Sequence, residues 1–143
     1  MHEGLDSTLA MLSVKLARVS VERSFAPDLV EIDGYGAELN QVWTNLIDNA
    51  IDAMDGEGTL RLATRRDGAH LVVDIADSGG GMPADVQARV FEPFFTTKDV
   101  GKGTGLGLDI SRRIVVDRHH GDITFASKPG STIATVRLPV AHP

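Results

Sequence analysis

Residues 39–54, LNQVWTNLIDNAIDAM, are the stretch that most restricts what this chain can become. Leu39, Val42, Trp43, Leu46, Ile47, Ala50, Ile51 and Met54 recur at helical spacing, so the segment reads as a helix with one broad apolar face that must be covered. Asn45, Asn49 and Asp52 stack on a second stripe of the same helix, with Asp48 close beside it. Asn is a mediocre helix former, and a solvated face is ordinarily furnished with Glu, Lys or Gln. Two Asn one turn apart therefore mark either a row of oxygen ligands or an ordinary polar face, and the remainder of the chain decides between them.

With 143 residues and 42% hydrophobic content, one domain with a real core is expected. The net charge of -6 argues against phosphate-backbone binding, so nucleic acid is not an expected partner. Zero cysteines exclude a disulfide framework, a thiolate zinc site and a cysteine nucleophile, and fit a reducing cytoplasm. No apolar run is long enough to cross a bilayer, and no signal pattern opens the chain. A helical pattern that begins directly after Met1 leads us to expect a piece of a longer protein.

In order along the chain, Leu5, Leu9, Leu12, Leu16 and Val19 predict an amphipathic helix over residues 1–18, which either docks on the domain or leads in from a preceding segment. Val19, Val21, Arg23 and Phe25 alternate as a strand closed by Pro27-Asp28, and residues 30–32 read as a short extended piece. Gly56 to Gly58 end the organising helix. Leu60, Leu62 and Thr64 alternate on a strand that turns at Asp67-Gly68 into a second, where Leu71, Val73, Ile75 and Asp77 share one parity. Asp77 then points into the interior, where a carboxylate is costly unless a specific partner satisfies it. A glycine turn follows, then a helix at 84–90, a helix at 106–118 ended by His119-His120-Gly121, and a final hairpin around Pro129-Gly130. The expected fold class is an α/β (α+β) two-layer sandwich: a mixed, largely antiparallel sheet, three main helices on one face, and a more polar opposite face.

Seven of the fifteen glycines lie between Gly79 and Gly107. Gly101, Gly103, Gly105 and Gly107 alternate along a stretch that turns into a helix, where backbone N–H groups converge and anions are favoured. Phosphate is the natural guest, although the spacing is neither that of a Walker A loop nor that of the dinucleotide fingerprint. Combined with the oxygen stripe, the buried-parity Asp77 and the nearby Lys98 and Lys102, these are the parts of a nucleotide-metal site. Asn carbonyls are hard donors suited to Mg2+, and a carboxylate accepts from an exocyclic amine, which favours adenine over guanine.

Four motifs carry a family resemblance. NLIDNAIDAM resembles the N box, DSGGGMP the first glycine box, FEPFFTTK the F box and GKGTGLGL the second glycine box of the catalytic domain of sensor histidine kinases. That domain belongs to a superfamily with DNA gyrase, heat-shock chaperone ATPases and MutL, and the match runs over residues 39–139. The resemblance implies the Bergerat ATP-binding fold with ATP and Mg2+ as ligands. It implies Asn49 as the metal ligand, Asn45 supporting the metal or the phosphates, and Asp77 accepting from adenine N6. Gly79 and Gly81 let the backbone approach the base, with Met82 beside them, and Thr132 assists Asp77, although Ser131 stands where the family usually has Gly. Thr97, Lys98, Gly101, Lys102, Gly103, Thr104, Gly105, Leu106 and Gly107 belong to the lid and the phosphate contacts, with Asp52 completing the stripe. Phe91, Phe94 and Phe95 are lid anchors.

Water-activating members of the superfamily carry Glu one turn before the metal-binding Asn, where this chain has Asn45. An amide cannot take a proton, so the resemblance implies phosphoryl transfer to a His on a separate helical hairpin, with Asn45, Asn49 and Lys98 in the catalytic role. The implied partners are that phosphoacceptor and dimerisation hairpin of the parent kinase and a downstream response regulator; the domain alone is expected to be monomeric, inactive and cytoplasmic. His2 lacks the sequence of a phosphoacceptor box, His70, His119, His120 and His142 have structural explanations, and Arg112, Arg113 and Arg118 read as a solvated face. An anti-sigma-factor-type serine kinase and a non-catalytic nucleotide-sensing adaptor share the fold and are the alternatives.

Overall fold

The computed structural model describes residues 2–26, 36–54, 56–79, 107–128 and 130–139. Among them run α1 (His2–Met11), β1 (Arg18–Phe25), α2 (Gly36–Ala53), β2 (Glu57–Asp67), β3 (His70–Asp77), α3 (Gly107–Arg112) leading into a π-helical segment (Arg113–Arg118), β4 (Asp122–Lys128) and β5 (Ser131–Pro139). The strands form one sheet in the order β1-β2-β3-β5-β4. β1 and β2 are parallel because α2 lies between them as a crossover; the hairpins β2–β3 and β4–β5 are antiparallel, and β5 returns beside β3 antiparallel to it.

α2 is the pivot of the core. Trp43, Val42 and Ile47 are fully buried, and they share one apolar cluster with Leu60, Leu62, Val73, Ile75, Val136 and Leu138 of the sheet. Leu5 and Leu9 of α1 and Ile114 and Val115 of the π segment join the same cluster, so the helices cover one face. Fully burying side chains of this size contributes roughly 1.5–3 kcal/mol each, which makes this layer contact the main stabilising term. The chain leaves α2 through Gly56, whose N–H reaches the Ile51 carbonyl at 3.0 Å and whose φ of 78° suits glycine. The β2–β3 hairpin turns at Gly68, with φ 58°, as the Asp67-Gly68 signal predicts.

The opposite face carries the polar residues, joined in pairs: Arg61 to Glu22 at 2.7 Å, Thr135 to Asp74 at 2.7 Å and Arg137 to Asp67 at 2.9 Å. Val72 lies on this face too and is fully buried; the register sets it between Arg65 and Arg137.

Two helices differ from expectation. The helix predicted over residues 1–18 ends at Met11, and residues 12–17 form turns whose bonds mix spans, such as Leu16 N–H to both Leu12 and Ser13 carbonyls. Leu12 and Leu16 still face the core from these turns, so the apolar spacing outlasts the helix, and Val19 belongs to β1. The helix predicted over 106–118 is α-helical only to Arg112 and widens to a π-helix at Arg113. Ile114, Val115 and Val116 are consecutive β-branched residues, weak α formers, and the wider turn sets Ile114 and Val115 side by side in the core. His119, buried at its end, places Nδ1 2.9 Å from the Ile114 carbonyl, and Gly121 N–H reaches Val115 at 2.8 Å. Arg113 and Arg118 pair with Asp109 and Glu38 on the surface, as a solvated face would. No helix among the described residues is long and apolar enough to cross a membrane.

Candidate functional site

β3 is the central strand, hydrogen-bonded to β2 on one side and β5 on the other, and Asp77 is its last residue. Its inward parity buries the carboxylate to 7% exposure, in register with Leu60 and with Thr132, itself 6% exposed. Burial pushes the Asp77 carboxyl above the usual carboxylate range, partly countered by the Gly79 N–H, which donates to Oδ1 at 2.9 Å. Thr132 Oγ1 lies 2.9 Å from Ser127 Oγ across the β4–β5 hairpin, a partner that sequence reasoning did not foresee.

The strand end is tied to the end of α2. A Cβ on Gly79 would stand 2.5 Å from the Ala53 carbonyl oxygen and 2.9 Å from Asp77 Oδ1, so only glycine fits. Ser78 N–H donates to the Thr59 carbonyl, Ser78 Oγ accepts from Thr59 N–H at 2.9 Å and donates to Met54 Sδ at 3.6 Å. Ala53 is one turn beyond Asn49 on α2. Asp77 and the amide-bearing helix are thereby joined at one corner of the sandwich.

Along α2, Asn45 and Asn49 are half-buried and Asp52 is exposed. Asp48, beside the stripe, is paired with Lys15 from the turns after α1 at 2.7 Å, and that bond and charge, with a smaller push from Asp52, raise the Lys15 pKa. Asn45 also departs from a simple ligand role, since its amide nitrogen donates to Ser111 Oγ of α3 at 3.1 Å. Ser111 was missed in the sequence; the available signal was a hydroxyl three residues before Ile114 on an otherwise apolar face. Gly107 begins α3, as its place in the glycine box implies. Gly81, Met82, Thr97, Lys98, Gly101, Lys102, Gly103, Thr104, Gly105 and Leu106, the three phenylalanines Phe91, Phe94 and Phe95, and the segments at 30–32 and 84–90 lie outside the described residues. A shallow groove lined by Val14, Lys15, Ala17, Arg18, Gly56 and Glu57 contains none of the site residues.

A family model described as histidine kinase-, DNA gyrase B-, and HSP90-like ATPase matches residues 34–142. The sensory histidine kinase/phosphatase NtrB of Rhodobacter capsulatus is 36% identical over 98% of this chain and 42% of its own length. Sporulation kinase C of Bacillus subtilis is 35% identical over 94% of this chain and 31% of its own length. The chain thus spans less than half the length of these relatives. Among solved structures, the catalytic domain of histidine kinase ThkA superposes with a TM-score of 0.88 at 25% identity, covering 98% of this chain and 92% of that one. The mycobacterial sensor histidine kinase MprB superposes with a TM-score of 0.86 at 26% identity, covering 100% and 96%. Since the family model runs from the entry of α2 through the last strand and the whole architecture recurs in solved catalytic domains, this chain belongs to the histidine kinase-, DNA gyrase B- and HSP90-like ATPase family, as the catalytic ATP-binding domain of a sensor histidine kinase.

Proposed function

We propose that this domain binds ATP with Mg2+ and donates the γ-phosphoryl group to a His on the phosphoacceptor hairpin of its parent kinase, for onward transfer to a response regulator. The observation that carries this reading is the buried Asp77 carboxylate, in register with Thr132 and joined through Gly79 to the helix that bears Asn45 and Asn49. A buried carboxylate backed by a single N–H keeps acceptor capacity for an exocyclic amine, which is what adenine presents.

The donor set suits a cation that arrives with its nucleotide. The described residues contain no group of three His, Asp or Glu side chains able to hold a metal unaided, and Mg2+ in nucleotide sites keeps waters and takes phosphate oxygens beside one or two protein ligands. Asn49 would supply such a ligand, and Mg2+ held there would supply neutralisation of the phosphate charge. Lys98, Lys102 and the glycines of the lid would close over the phosphates. Asn45 stands where a hydrolase of this superfamily holds a base; its amide takes no proton, so water is not activated and an incoming imidazole is the preferred nucleophile. The domain is proposed to work as a monomer in the cytoplasm until its hairpin engages it.

Mixing the purified domain with a phosphoacceptor hairpin and γ-labelled ATP tests the reading. Label should pass to a His of the hairpin in acid-labile form, while the domain alone neither labels itself nor turns over ATP quickly. Label on Ser would make the domain a serine kinase, binding without transfer would make it a nucleotide sensor, and robust self-labelling would contradict the proposal outright.

A further inference from the structure

The central strand fixes where Asp77 stands, but the aim of its carboxylate depends on how the chain leaves β3. The carboxylate is held through Gly79, whose N–H donates to Oδ1 at 2.9 Å, so any freedom in the exit from the strand passes to the acceptor. Something must hold that exit.

Continuing the β2–β3 register one step beyond Leu60 and Asp77 sets Ser78 opposite Thr59, where a regular narrow antiparallel pair exchanges two backbone bonds. Only one of the two is regular. Ser78 N–H donates to the Thr59 carbonyl at 3.2 Å, but Thr59 N–H donates at 2.9 Å to Ser78 Oγ, so the side chain stands in for its own carbonyl. The same hydroxyl donates to Met54 Sδ at 3.6 Å, just past the end of α2. Both directions are fixed, because a backbone N–H only donates and a thioether sulfur only accepts. Ser78 itself is exposed, yet Met54 and Gly79 are buried, so its hydroxyl closes the outside of the corner. With the second rung taken by the side chain, the main chain is released from β2 and bends at Gly79, against the Ala53 carbonyl. Gly58 leaves the space for this: a Cβ there would stand 2.6 Å from Ser78 Oγ and 2.8 Å from Met54 Sδ.

We infer that Ser78 is a positioning residue for base selection: its hydroxyl bridges the Thr59 amide to Met54 and fixes the exit of β3 that aims Asp77 at the exocyclic amine of adenine. This deepens the proposed function and rests on it. Ser78 acts through Gly79 and Asp77. Neither the apolar cluster nor the ladder from Leu60–Asp77 onward uses its hydroxyl, so the loss on removing it falls on discrimination rather than on folding.

The test is competition between ATP and inosine triphosphate, whose base carries a carbonyl in place of the exocyclic amine, in wild type, Ser78→Ala, Ser78→Thr and Met54→Leu. Ser78→Ala should lower the preference for ATP about three- to fivefold, the scale of one neutral hydrogen bond, with the affinity for inosine triphosphate kept within about twofold. Ser78→Thr keeps the hydroxyl and should restore the preference. Met54→Leu keeps the bulk without the sulfur acceptor and should shift it in the same direction, and the double substitution should lose no more than Ser78→Ala alone. By NMR, the Gly79 amide hydrogen should exchange faster in Ser78→Ala than in wild type. A purely structural role would weaken both nucleotides together, and that result overturns the inference, as does an unchanged preference in Ser78→Ala, a failure of Ser78→Thr to restore it, or additive losses in the double substitution. A wild-type domain that does not prefer ATP overturns the adenine contact and this inference with it; a discriminating wild type with an indifferent Ser78→Ala overturns the inference alone.

Discussion

Replacing Asp77 with Ala is expected to weaken ATP binding by roughly 10- to 150-fold, the equivalent of about 1.5–3 kcal/mol for a hydrogen bond to a charged group. The loss should be as large for ADP as for ATP, because the carboxylate is proposed to meet the base and not the phosphates. Calorimetry on both nucleotides checks this, and unchanged affinity would remove the adenine contact from the reading. The isosteric Asp77→Asn separates binding from folding. Burial raises the Asp77 pKa, so the protonated form is the one the folded state prefers. The stabilisation associated with that preference is fully present below the ordinary carboxylate range, near pH 4, and is lost as pH rises through the raised folded value. Above that raised value the nucleotide-free wild type carries an ionised group that folding disfavours, and there Asp77→Asn should raise the urea midpoint while lowering ATP affinity. The stability gain should vanish as the pH is taken below 4, roughly the pH where the unfolded carboxyl is protonated as well. For the same reason, wild-type ATP affinity should begin to fall on acidification at a higher pH than an ordinary Asp would give.

Gly79→Ala is expected to damage stability and binding together. Its Cβ would meet the Ala53 carbonyl oxygen at 2.5 Å and carbon at 2.8 Å, both backbone atoms in the last turn of α2. A backbone neighbour cannot rotate away, so the strand exit must lift from the helix; overpacking of this kind costs typically about 1–3 kcal/mol. Lifting also withdraws the Gly79 N–H from Asp77, 2.9 Å away, which raises the carboxyl pKa further and displaces it from the base. The expected result is a lower thermal midpoint and ATP affinity reduced at least as much as by Asp77→Ala. A stable, tightly binding Gly79→Ala would show that the corner joining β3 to α2 is not needed to form the site. Gly68 offers the control: nothing lies within 4 Å of a Cβ there, so its substitution strains one hairpin turn and should leave nucleotide affinity alone.

The organising helix was legible because its apolar residues keep the helical period along one face while Asn45, Asn49 and Asp52 keep the same period along another. Asp77 was legible from parity alone, since Leu71, Val73 and Ile75 fix which way the strand faces. The end of α1 was not, because the turns after Met11 preserve the spacing of Leu12 and Leu16, and periodicity registers the spacing rather than the hydrogen bonds beneath it. Nor was the π-helix, whose extra residue per turn changes the phase only over its last few positions. The pairing of Asp48 with Lys15 spans 33 residues, and that of Asn45 with Ser111 spans 66; such contacts exist only once the layers have packed. A single sequence names the groups that do the chemistry more readily than the groups that hold them in place.

The position of β3 has a consequence for how a nucleotide leaves. This strand is paired along both edges, and Val72 and Val73 bury both of its faces, so its amide hydrogens should be among the last in the domain to exchange with deuterium. The purine would be gripped by the part of the molecule least able to breathe. Release of spent nucleotide would then be expected without any opening of the sheet, its rate set by the contacts broken at the base.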